Sequence, residues 1–158
     1  MKVLHTKLGT APALIATPDG EPRATLLWYH GLGVSKETHF PELERFARAG
    51  IRAIGIDAAG HGERRLPDFE ERFAPPRHVI EPLLLQLVNE SVAEIASIVD
   101  ALQVERVALC GISFGGYITY RGAVADPRIT AAVSLLGAPD FSLADSYFPR
   151  ALLSLTAE

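Results

Sequence analysis

Hydrophobic and polar positions alternate along this chain in a regular rhythm. Four short apolar runs read as buried strands: Ala24 to Tyr29, Ile51 to Ile56, Val104 to Cys110 and Ile129 to Leu136. Each is rich in β-branched or aliphatic residues and is bounded by Gly, Asp or Pro. The segments between them have helical spacing. Leu43, Phe46 and Ala47 share one face of a helix that Pro41 helps start and Gly50 closes. Val92, Ile95, Val99 and Leu102 share a face of a second helix, with Pro82 near its start. Strand–helix alternation with near-continuous apolar strands predicts an α/β fold, a mostly parallel sheet with helices on both faces. Ahead of it, Val3 to Leu8 and Pro12 to Thr17 read as an antiparallel hairpin or meander, with turn chemistry from Gly9, Pro18, Asp19 and Gly20. The irregular stretch from Glu63 to Pro82 reads as a surface excursion.

Composition narrows the classes. At 158 residues, 48% hydrophobic and 22% charged, the chain suits one soluble domain, 1–158, with a real core. Fifteen Lys and Arg against 19 Asp and Glu give a net charge of −4, which argues against nucleic acid as a partner. No apolar run approaches the about 20 residues of a membrane span, and the N-terminus lacks a signal-peptide block, so no membrane partner is expected. The single cysteine, Cys110, allows no internal disulfide and points to a reducing cytoplasm.

The chemistry concentrates in Cys110-Gly111-Ile112-Ser113-Phe114-Gly115-Gly116. A strand ends at Cys110 and a helix containing Tyr117, Ile118 and Tyr120 follows at once. A G-x-S-x-G at such a junction is a nucleophile elbow, with Ser113 on a strained turn and glycine at 111 and 115 where a Cβ would collide. An elbow's oxyanion hole takes one N–H from the residue after the serine, Phe114, and one from the loop after an earlier strand, here His30-Gly31-Leu32-Gly33, which nominates Leu32. Asp57-Ala58-Ala59-Gly60-His61-Gly62-Glu63-Arg64 reads as a tight loop at the same sheet edge. His30 and His61 belong to loop-shaping glycine motifs, so each is expected to fix its loop by hydrogen bonding rather than to act as a base.

Together HGLG, DAAGHGER and GISFGG resemble the α/β-hydrolase superfamily, within it the esterase branch related to dienelactone hydrolases and prolyl-oligopeptidase-like enzymes. The resemblance covers nearly the whole chain. It implies a Ser–His–Asp triad, no cofactor, and a small-molecule acyl ester or related substrate. It also exposes a departure. The family order is Ser, then acid, then His, yet no histidine follows His78 and only one strand follows the elbow. The sheet is therefore expected to lack the family's last strands. Some members carry the acid after the strand present here, which makes Asp140 a candidate, with a plain loop aspartate as the alternative. A piece of a longer hydrolase and a naturally short protein both fit. The functional expectation is a serine ester hydrolase whose His and acid lie outside this chain. The rivals are a non-catalytic binding or assembly module, and a thioesterase or peptidase on the same scaffold. An exposed final strand would also recruit a second copy, a possible homo-oligomer.

Overall fold

The computed structural model describes residues 1–138. Six strands form one sheet in the order β1-β2-β4-β3-β5-β6. They are β1 (Lys2–Leu8), β2 (Ala11–Thr17), β3 (Ala24–Tyr29), β4 (Ile51–Ile56), β5 (Val107–Ile112) and β6 (Ile129–Leu135). β4, β3, β5 and β6 run parallel. The β1–β2 hairpin is antiparallel and joins the same sheet through β2 against β4.

The helices are α1 (Phe40–Arg48), α2 (Phe69–Phe73), α3 (Arg77–Ala93), α4 (Ile95–Leu102) and α5 (Phe114–Gly122). α1 lies on one face, with Leu43 and Ala47 packed on Leu26, Trp28 and Ala53. α3, α4 and α5 bury Leu87, Val88, Ile98, Val99 and Ile118 against Leu27, Ile54 and Leu109 on the other. Gly50 closes α1 at φ +82°, a conformation costly for a residue with a side chain.

Four details differ from the sequence expectation. β5 starts and ends later than Val104 to Cys110: Glu105 and Arg106 are exposed, while pairing with β6 carries the strand on through Gly111 and Ile112. The excursion from Glu63 to Pro82 is partly helical, holding α2 and the first turns of α3. Pro82 lies inside α3 rather than near the start of the Val92–Leu102 helix, and that helix divides at Glu94 into α3 and α4. Finally, the helical stretch Arg77–Leu102 is by length and composition apolar enough to cross a membrane, which counting unbroken apolar runs did not show. Its Leu84, Leu87, Val88, Ile95, Ile98 and Val99 are buried in the core.

Candidate active site

The parallel strands end at one edge of the sheet, and the loops leaving β3, β4 and β5 meet there. β5 turns into α5 through a single residue, Ser113, at φ 54°, ψ −110°. That region is reached by a residue with a Cβ only under strain, of order 1–3 kcal/mol. The surroundings enforce it. A Cβ on Gly111 would lie 2.1 Å from the Gly115 carbonyl oxygen, and one on Gly115 would lie 2.1 Å from that of Tyr29. The start of α5 is thus pressed onto the end of β3. Ser113 N–H donates to Leu135 O (2.7 Å), and Thr119 Oγ1 donates to Gly115 O (2.9 Å), bracing the turn from both sides. The serine is exposed, and its hydroxyl has no hydrogen-bond partner among the described residues. Phe114 opens α5, so its N–H has no acceptor within the helix.

The loop after β3 passes beside this turn: a Cβ on Gly31 would sit 3.9 Å from the Ile112 carbonyl oxygen. Leu32 is exposed, and its N–H meets no acceptor among the described residues. Both loop histidines are wholly buried. His30 Nε2 accepts the Ala58 N–H (3.1 Å), so Nδ1 carries the proton and donates to Gly31 O (2.7 Å). His61 Nδ1 donates to Ala59 O (2.8 Å), which leaves Nε2 buried and unpartnered among the described residues. The His61 ring stacks on Phe114 at 4.8 Å and meets Phe69 edge-on at 5.1 Å. Burial lowers the pKa of both, that of His61 to about 4, so both rings are neutral at pH 7. Each hydrogen-bonds its own loop, as the glycine motifs led us to expect.

The main feature missed by sequence reasoning is a buried ion pair behind these loops. Asp57 and Lys36 are both buried, with Lys36 Nζ 3.0 Å from Asp57 Oδ2. Asp57 stood in the DAAGHGER motif; what signalled nothing was its meeting with Lys36 across 21 positions. The remaining candidate, Asp140, lies outside the described residues. Among those residues no group of His, Cys, Asp and Glu is placed to hold a metal ion.

A family model described as "Alpha/beta hydrolase family" matches residues 26–157. The chain belongs to that family. Esterase YjfP of Escherichia coli (strain K12) is 29% identical over 164 residues, covering 100% of this chain and 64% of its own length. The chain thus spans less than two thirds of this relative's length. Among solved structures, TT1662 from Thermus thermophilus superposes with a TM-score of 0.63 at 22% identity, over 95% of this chain and 68% of that one. A Klebsiella pneumoniae protein assigned as a dienelactone hydrolase reaches a TM-score of 0.66 at 20% identity, over 89% and 63%. At those identities the two structures speak for the fold alone.

Proposed function

We propose that this chain carries the nucleophile and oxyanion hole of a serine hydrolase acting on carboxylic esters or related acyl substrates. The observation that carries the reading is Ser113: an exposed hydroxyl with no partner among the described residues, on a left-handed backbone at the N-terminus of α5. Ser113 Oγ attacks the acyl carbon, and the carbonyl electrons move to oxygen. The N–H groups of Phe114 and Leu32 receive that oxyanion, helped by the positive end of α5. The tetrahedral intermediate expels the alcohol, and water then hydrolyses the acyl-serine.

The attack needs a base to take the hydroxyl proton. The chain's histidines are at 5, 30, 39, 61 and 78. His30 Nε2 is occupied by Ala58, and His61 Nε2 is buried against Phe114. His30 and His61 are thus committed to their loops, which favours a base and an acid partner supplied from outside the described residues. Catalysis needs no cofactor, and a reducing cytoplasm suits the one free, buried thiol, Cys110.

Without a base, kcat falls by about 10⁶-fold, roughly 8 kcal/mol of barrier, while binding and the oxyanion hole leave about 10³- to 10⁴-fold catalysis over water. The chain alone is thus expected to turn over an activated aryl ester only marginally, with little further change in Ser113→Ala. A fluorophosphonate ester is expected to label Ser113 slowly and stoichiometrically, read by intact mass and peptide mapping. No label, or label elsewhere, would leave a non-catalytic binding module. Turnover near ~1 per second that Ser113→Ala abolishes would make His61 or His30 the base after all.

A further inference from the structure

The loop that presents Leu32 is held from outside. Residues 30–35 pair with no strand, yet the segment 57–65 pins them and Lys36 at four points. Ala58 N–H donates to His30 Nε2 (3.1 Å), and Arg65 Nη1 donates to Gly33 O (2.8 Å). The other two bonds end on one carboxylate: Lys36 N–H to Asp57 Oδ1 (2.8 Å) and Lys36 Nζ to Asp57 Oδ2 (3.0 Å). Oδ2 also accepts Glu63 N–H (2.9 Å), and Nζ reaches Glu63 (2.6 Å) and Glu37 (2.8 Å) as well. The sequence makes room for this hub. A Cβ on Gly62 would fall 2.0 Å from the Asp57 carboxylate. A buried ion pair adds little stability over an apolar pair of the same shape, so its use is directional.

We propose that Asp57 and Lys36 are positioning residues for the oxyanion loop. They hold the backbone so that Leu32 N–H points where charge develops as Ser113 attacks; this rests on the reading of Ser113 given above. Neither residue touches the reacting atoms.

The test uses the full chain, the charge-neutral double variant Lys36→Met with Asp57→Asn, and Glu63→Gln at the exposed rim. Three quantities are measured: the saturation curve of Ser113 labelling by a fluorophosphonate ester, the ¹⁵N order parameters of Leu32 and Gly33, and the thermal midpoint. In the double variant the half-saturating concentration is expected to hold while the maximal labelling rate falls about 10-fold, part of what a lost oxyanion donor costs. The Leu32 order parameter is expected to drop from the rigid range near ~0.85 to below ~0.6. Glu63→Gln is expected to lower the maximal rate about 2-fold and the Leu32 order parameter by a smaller step than the double variant does. A wild-type maximal rate and an unchanged order parameter overturn the proposal, whatever happens to the thermal midpoint. A wild type that does not label removes the nucleophile reading instead, and the order parameters alone then decide between a clamped and an unclamped loop. Where the double variant does not fold, Glu63→Gln decides.

Discussion

At Gly115 a hydrogen atom stands where any side chain would lie 2.1 Å from the Tyr29 carbonyl oxygen. Gly115→Ala must therefore push α5 off the end of β3, and a loss of about 3 kcal/mol or more is expected from urea midpoints. Gly31→Ala is the control. Its Cβ meets only the Ile112 carbonyl oxygen, at 3.9 Å, so its cost is expected below about 1 kcal/mol. The loop histidines set a second, pH-dependent expectation. Burial holds His61 at about 4 in the fold, against about 6.5 unfolded. Between those values the unfolded chain binds more protons, so stability falls as pH falls through that window, by on the order of 3 kcal/mol for His61. His30 is lowered in the same direction and adds to the slope. Unfolding curves from pH 7 to pH 4 are expected to show this loss, and His61→Phe is expected to remove the His61 share of it, most clearly above about pH 5, where the lowered carboxylates such as Glu37 contribute least.

Among the elements, the joint between α3 and α4 does more than divide a long helix. Glu94 stands there and accepts two bonds from Arg64, at 2.5 and 2.6 Å, while Arg64 Nη2 also donates to the Asp57 carbonyl oxygen. One glutamate thus ties the 57–65 loop to the helices beneath it. Glu94→Gln, which removes the charge and one acceptor, is expected to cost about 1–3 kcal/mol in the urea midpoint. Legibility also differed by element. β3, β4, α1 and the elbow were plain because apolar periodicity and glycine placement are local signals. α3 hid its beginning because Arg77, His78 and Glu81 look like loop, and Pro82 resembles a first-turn proline. In fact its missing N–H falls in the second turn, near exposed His78 and Val79. The Lys36–Asp57 pair was illegible for another reason. No local pattern reports that two loops, 21 residues apart, cross with their charges inward.

For the molecule as a whole, the sheet's two edges are unlike. β1 exposes Lys2, His5 and Lys7 beside Val3 and Leu4, which are 44% and 57% exposed, and its lysines are what discourage strand addition there. At the other margin no strand pairs with the outer side of β6 among the described residues, and Val133 and Leu135 are 54% and 40% exposed. They continue an apolar groove of about 640 Å³ with Leu26, Trp28, Phe46 and Cys110. Sedimentation at tens of micromolar (about the range where such edges associate) is expected to show a mass above the monomer, and Val133→Lys is expected to return it to the monomer. That margin is not remote from the serine. Leu135, last residue of β6, receives the Ser113 N–H at 2.7 Å, so one peptide group belongs both to the rim of the sheet and to the strained turn. A load on the rim that shifts Leu135 would thus reach the serine's backbone, and whatever factor rim binding imposes on ligand binding at the serine, the ligand would impose on the rim in return.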